Sequence, residues 1–311
     1  MRKLRHVLEY LAYLAVGFVI ALLPRGAAVW FGRRLGGLYL IVSRRSRQVA
    51  RENVARALPD HPNPEGMIRE SFRLQGVVAV DMLWSRRLNE KSVGRYVEWE
   101  PSAWQALQEG LATGRGVVTA TGHYGSWEML NLAGGTLLPR STVIARAFDN
   151  PWIDAQIKRG RERTGNRLVY RENALVKCLS ALRKNEIVCS VIDMAVVPWQ
   201  GAIFVDFFGM PALTSSALPL LAHRRKAPMG FITCRPVEKG RRYHVEVEKI
   251  EVDYEAEQKD EVPRLTQAMS RALENAIRRH PEAGIPCQLA VGDNTRCNDD
   301  QIGWKHIAVL E

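Results

Sequence analysis

The chain lacks any cysteine pattern that announces pairing. Its five, Cys178, Cys189, Cys234, Cys287 and Cys297, are odd in number and far apart. Such spacing fits neither a disulfide framework nor a zinc or thiol-redox motif, and it reads as free thiols in a reducing compartment. No Gly-x-Gly-x-x-G opens a helix after a strand. Gly114 and Gly116 precede the apolar run they adjoin, which argues against a nucleotide site. There is no Gly-x-Ser-x-Gly elbow of an acyl-enzyme hydrolase. No RNP stretch or Cys/His pairing points to nucleic acid. Internal repeats and low-complexity tracts are also missing. Acidic residues are too few to balance the basic ones: 33 against 44, a formal charge of +11 and a pI of about 9.7. An excess of that size calls for an anionic partner, such as a membrane surface or a phosphorylated substrate.

What is present is a substantial apolar content, 46% of 311 residues, enough for one large domain or two smaller ones. From Tyr10 to Leu23 there is no charge, and the apolar stretch begins at Leu4. Twenty helical residues span roughly 30 Å, the thickness of a bilayer's hydrocarbon. No small-residue cleavage site stands out before Pro24, so an uncleaved anchor is expected rather than a signal peptide; a buried core helix is the other reading. Arg25, Arg33, Arg34, Arg44, Arg45, Arg47 and Arg51 follow the stretch. That bias predicts a single pass with the main domain on the cytoplasmic face. Residues 27–42, apolar but broken by Arg33 and Arg34, read as an amphipathic helix on the membrane surface or as a core-facing helix.

Farther on, helical and strand patterns alternate. Two helices between Arg44 and Leu88 are split by Pro59 to Pro64, and a short strand falls within 95–100. A helix with Ser102 as its cap follows. Strands are expected after Gly116, leading to His123, and at 141–145, 167–170, 186–192, 229–234 and 243–248. The helix after the first of these should stop at Gly134-Gly135. This alternation predicts an α/β fold, a mixed sheet with helices on both faces, behind the N-terminal membrane helix.

The run Val117 to Thr121 delivers Gly122-His123 at its end, and Glu128 follows in Gly-His-Tyr-Gly-Ser-Trp-Glu. A strand ending in histidine puts an imidazole at the edge of the sheet, where open α/β sheets place their sites. Glu128, in the first turn of the next helix, can turn back toward the ring. A carboxylate on one ring nitrogen fixes the tautomer and leaves the other to take a proton. From the residues alone, the same pair reads equally well as a hydrogen-bonded core histidine and a dipole-favoured glutamate.

His123, four residues and Glu128 resemble the H-x4-[D/E] motif of glycerolipid-type acyltransferases. The wider form is similar to the lipid A biosynthesis (late) acyltransferase family, of lauroyl/myristoyl type, many members of which have Asn at the place of Ser126. Three further segments resemble that family. They are Arg146 to Pro151, with Asn150-Pro151; Arg161-Glu162-Arg163-Thr164-Gly165; and Gly201 to Thr214, with Phe207-Phe208-Gly209. Asp193, ending a strand, has its counterpart too. The likeness covers about residues 5 to 282. After Pro281-Glu282 the chain departs from the family's Trp-rich close, leaving residues 283–311 unmatched.

The resemblance implies a glycerolipid-acyltransferase-like fold and transfer of a fatty acyl chain from an acyl carrier protein thioester, with acyl-CoA as another possible donor. The acceptor is a hydroxyl of a lipid A precursor at the inner membrane. It implies His123 as base, Glu128 as its orienter and Arg161 as oxyanion donor. Arg146, Asn150, Asp193, Ser126 and Phe207 fall among the substrate contacts, and Asp193 is expected to orient an arginine. Arg146 is the alternative cation or a phosphate holder, since the planar guanidinium matches phosphate bidentately. Arg224, Arg225 and Lys226 form either a solvated face or a meeting place for the acidic carrier protein. No metal and no cofactor is expected. The chain divides on this reading into an anchor (1–25), a helical membrane-associated region (26–100), an α/β core (101–282) and a divergent tail (283–311). Rivals are an acyltransferase on another glycolipid, such as a mannosylated phosphoinositide; a serine hydrolase using Ser126; and a non-catalytic membrane-binding module.

Overall fold

The structure, a computed structural model, describes residues 2–170, 173–193 and 201–284. Four helices come first: α1 (Arg2–Leu22), α2 (Arg25–Val42), α3 (Arg44–Ala57) and α4 (Pro64–Trp84). The break before α4 follows from its prolines. Asn63 caps the helix by accepting from the Gly66 N–H at 3.0 Å, and Pro64 takes the first turn, where no N–H is needed. α2 lies directly on α4. A Cβ on Gly36 would stand 1.9 Å from the Phe72 carbonyl oxygen, and one on Gly76 would stand 2.0 Å from that of Gly32. Only glycine permits this approach of two backbones.

After a short helix α5 (Glu90–Val93) come β1 (Val97–Trp99), α6 (Pro101–Ala112), β2 (Val117–Thr121), α7 (Trp127–Leu137), β3 (Ser141–Ala145), α8 (Pro151–Glu162), β4 (Arg167–Tyr170), α9 (Ala174–Arg183) and β5 (Ile187–Val191). A hairpin of β6 (Ala202–Phe207) and β7 (Met210–Ser215) leads to α10 (Ala217–Arg225), β8 (Met229–Val237), β9 (Arg242–Ile250) and α11 (Gln258–Arg279). Seven strands form one mixed sheet in the order β1-β9-β8-β2-β5-β3-β4. β8 and β9 are antiparallel, and every other neighbouring pair is parallel.

Alternation along the strands sorts the core into two layers. Val118, Ala120 and Val188 bury against α9, α10 and α11. Val117, Ile187, Ile232 and Val245 bury with side chains of α4, α6 and α7 on the other face. β1, expected as a short strand within 95–100, is the edge strand of this sheet. Two local expectations are corrected. α6 begins at Pro101 with Glu100 before it and no side-chain cap, so Ser102 lies inside the helix. Gly134 and Gly135 do not end α7, which runs to Leu137. A Cβ on Gly135 would come 2.3 Å from Thr164 Oγ1, so the glycine is there for a neighbour rather than a stop. Residues 285–311 of the divergent tail lie outside the described residues.

Candidate active site

The chain leaving β2 turns to α7 on one face of the sheet. The chain leaving β5, its parallel neighbour, continues through the β6–β7 hairpin to α10 on the other face. Adjacent parallel strands whose connections diverge open a crevice at their carboxyl ends, the usual site position in such sheets. His123 follows β2 and Asp193 follows β5, so register alone brings them face to face: Thr121 pairs with Val191, and Ile192 N–H donates to the Thr121 carbonyl at 2.9 Å. Gly122 makes room, because a Cβ there would press on Leu273 at 2.8 Å and on Asp193 Oδ2 at 3.3 Å.

The Asp193 carboxylate grips the histidine twice. The His123 backbone N–H donates to Oδ2 at 2.7 Å, and the ring Nδ1 bonds to Oδ1 at 2.8 Å. A carboxylate at Nδ1 favours the tautomer with its proton there, which puts the accepting lone pair on Nε2. The Trp127 ring stands edge-on to the imidazole with centroids 5.0 Å apart. Burial pulls the imidazole pKa down, but the charge and hydrogen bond of Asp193 raise it more, and the result lies above the ordinary 6.5. For Asp193, burial pushes up, while the imidazolium charge and the two bonds from His123 hold the carboxyl below its ordinary value.

Glu128 lies in the first turn of α7, as expected, but its pairing differs from expectation. It binds Arg161, whose Nε lies 3.1 and 3.3 Å from the two carboxylate oxygens and whose Nη2 bonds to Oε1. Both are largely buried, at 7% and 15% side-chain exposure, a degree at which a lone charge is costly. Burial lowers the Arg161 pKa, and Glu128 more than restores it, so the guanidinium stays charged. The orienter of the imidazole is thus Asp193 rather than Glu128, and Asp193 holds the histidine rather than an arginine. The reason is local. Gly125, at φ +68°, and Ser126, the N-cap, turn the chain so that Trp127 meets the ring and Glu128 faces α8.

Of the other expected contacts, Arg146 is exposed just past β3 and makes no ion pair among the described residues. Asn150 is committed to structure. Its Oδ1 caps α8 through the N–H groups of Trp152 and Ile153, and its Nδ2 donates to the His6 carbonyl and Glu9 in α1 at 2.9 and 3.0 Å. Ser126 has no exposed surface and caps α7 through the Met129 N–H at 3.3 Å. That leaves it neither a substrate contact nor an accessible nucleophile. Phe207 is buried edge-on to Phe208 in the core, whereas Phe204 is 66% exposed. In the basic run, Arg224 bonds to Gln258 and Lys226 to Glu255.

Two neighbours have no counterpart among the expected site residues. Arg86 bonds to the Tyr13 hydroxyl and lies 5.1 Å from its ring, and Tyr13 is within electrostatic reach of Glu128 and Arg161. A tyrosine in the expected anchor thus borders the Glu128–Arg161 pair, which the uncharged run from Tyr10 to Leu23 gave no sign of. Elsewhere, Glu100, His244 and Glu246 bring ligand-type atoms within 4.8 Å of one another. Arg235 and Arg279 already sit on Glu246 at 3.4 and 3.7 Å, supplying the cations there. A cavity of about 550 Å³ between the start of α4 and the end of β8, lined by His61, Glu70, Arg235 and Glu282 among others, does not reach His123. Cys178, Cys189 and Cys234 are free, and burial pushes the first two thiols up to about 11.

A family model described as bacterial lipid A biosynthesis acyltransferase matches residues 1–283. No curated protein matches the chain. With nearly its whole length matched, the chain belongs to the lipid A biosynthesis acyltransferase family.

Proposed function

We propose that this lipid A biosynthesis acyltransferase moves a fatty acyl chain from an acyl carrier protein thioester to a hydroxyl of a lipid A precursor, on a glycerolipid-acyltransferase-like fold at the cytoplasmic face of the inner membrane. The observation that carries the chemistry is the 2.8 Å bond between His123 Nδ1 and Asp193, which prepares Nε2 as a base. Nε2 takes the proton of the acceptor hydroxyl while its oxygen attacks the thioester carbonyl. The C–O bond forms, and the carbonyl electrons move onto oxygen. Collapse of the tetrahedral intermediate breaks the C–S bond, and the departing thiolate takes the proton back from the imidazolium. The Asp193 charge stabilises that imidazolium throughout.

Arg161 spends Nε and Nη2 on Glu128. Its Nη1 is the donor we assign to the oxyanion, worth about 3–4 kcal/mol in comparable positions. Glu128 acts through Arg161, holding its charge and plane. An acyl chain of ~12 carbons carries roughly 9 kcal/mol of hydrophobic free energy, so it must be sheltered from water during transfer. Burial of Ser126 disfavours the serine-hydrolase reading.

The test is transfer from acyl carrier protein thioester to a radiolabelled lipid A precursor. His123→Ala should lower the rate at least about 100-fold while circular dichroism stays unchanged. Near-normal transfer by that variant overturns the proposal.

A further inference from the structure

α1 is long and apolar enough to cross a bilayer, with a mean hydropathy of 1.5 over Lys3–Leu22. Its contacts describe another arrangement. At 100° per residue, His6, Glu9, Tyr10, Tyr13, Gly17 and Ile20 fall on one face. That face touches α8 near its start and the end of α4 farther along, over the whole helix. Asn150 bonds to His6 and Glu9 near the start, and Gln156 donates to the Tyr10 hydroxyl at 2.9 Å. Arg86 bonds to Tyr13 at mid-length, and a Cβ on Gly17 would meet Leu83 at 3.5 Å. At the far end, Arg87 donates to the carbonyls of Ala21 and Leu23 at 3.0 and 2.9 Å, and Trp84 Nε1 to that of Leu23 at 2.9 Å.

The opposite face, with Leu4, Leu8, Leu11, Phe18, Val19 and Leu22, is exposed. A helix that crossed hydrocarbon in this arrangement would carry Arg86, Gln156 and the charged α8 to the middle of the bilayer. That is a costly place for a guanidinium.

We infer that α1 lies in the plane of one leaflet, its outer face among the upper acyl chains and its polar face on the enzyme, so that the protein is monotopic. The surface it takes is an anionic bilayer. Lys3 and Arg5 flank Leu4 at the start of the apolar face, and in α2 the exposed Ile41 and Val42 are followed after Ser43 by exposed Arg44 and Arg45. Apolar side chains flanked by arginine and lysine suit acyl chains below anionic phosphates. The Arg34 guanidinium, 5.5 Å from the centroid of the exposed Trp30 ring, repeats the pairing. This rests on the proposed function only for a membrane lipid as acceptor; the orientation of α1 is argued from its own contacts.

The test uses the full chain on vesicles of phosphatidylethanolamine and phosphatidylglycerol. One fluorophore-bearing unnatural amino acid replaces Leu4, Leu11, Phe18 or Leu22 in turn, and depth is read by quenchers fixed along the lipid chains. The in-plane arrangement gives all four probes similar depths, roughly 5–10 Å into the headgroup–acyl boundary. It also leaves an N-terminal epitope tag digestible from the side that carries the domain. A spanning helix spreads Leu4 and Leu22 over about 27 Å of depth and hides the tag on the far side, which overturns the inference. If acyl transfer persists in that case, the proposed function stands without it. A chain that stays off vesicles as a dimer with the four probes shielded overturns the inference too. Acyl transfer to soluble acceptor fragments then reports on the chemistry separately.

Discussion

Replacing Asp193 with asparagine keeps the shape of the site and removes one charge. Two unit charges about 4 Å apart interact by about 4 kcal/mol at an effective dielectric of 20. With that attraction gone, the His123 pKa falls back from its raised value, and burial of the ring carries it lower. A second effect acts on the tautomer. The amide satisfies the His123 backbone N–H with its oxygen, as Oδ2 does now at 2.7 Å, and then turns its NH2 toward Nδ1. A donor at Nδ1 requires the ring proton on Nε2, which then has no lone pair for the acceptor hydroxyl. The rate should fall ~10²–10⁴-fold at every pH, and the acidic limb of kcat/KM, above 6.5 in the wild type, should move downward.

Stability follows the same pair, counted once. The raised His123 pKa contributes stability that is complete below 6.5 and is lost as pH rises through the folded value. The lowered Asp193 pKa contributes stability present above 3.8 and lost as pH falls through its folded value. Thermal unfolding of Asp193→Asn should therefore differ most from wild type between pH 3.8 and 6.5, and less at alkaline pH. An unchanged acidic limb together with near-normal transfer would refute the reasoning.

Other variants separate chemistry from architecture. Glu128→Gln strands the buried Arg161 charge and should cost about 3–5 kcal/mol in chemical denaturation, whereas Glu128→Leu with Arg161→Met should recover much of that stability and stay inactive. Asn150→Ala removes the α8 cap and the tie to α1, and calorimetry should show a loss of about 1–2 kcal/mol. Gly36→Ala forces a methyl onto the Phe72 carbonyl and should destabilise by about 1–3 kcal/mol, while Gly37→Ala, with nothing within 4 Å, should stabilise by up to ~1 kcal/mol in the same melts.

Local order was readable in the residues. The prolines between Pro59 and Pro64 announced the gap between α3 and α4, the run leading to His123 became β2, and the runs at 141–145 and 167–170 became β3 and β4 with those bounds. Asn150 before Pro151 announced the start of α8 but not its bond to a helix more than a hundred residues away. Gly134-Gly135 misled because a glycine required by a neighbour resembles a glycine that stops a helix. His123 and Glu128 were the right residues with the wrong partnership. Spacing along one segment shows who is near in sequence, whereas the partner of His123 depends on β5 entering beside β2. The clue was Asp193 standing at the end of an apolar run, as His123 does. Two such runs become neighbours only through sheet order, which no periodicity encodes.

That sheet order has a kinetic consequence. His123 and Asp193 are 70 residues apart, and α7, β3, α8, β4 and α9 intervene before β5 slots between β2 and β3. Contacts of such sequence separation form late, because the loop must close before the strand repays it. A refolding chain can hold β2, α7 and the Glu128–Arg161 pair while its histidine still lacks a carboxylate. Recovery of transferase activity then reports the insertion of β5, and it trails the return of helical signal.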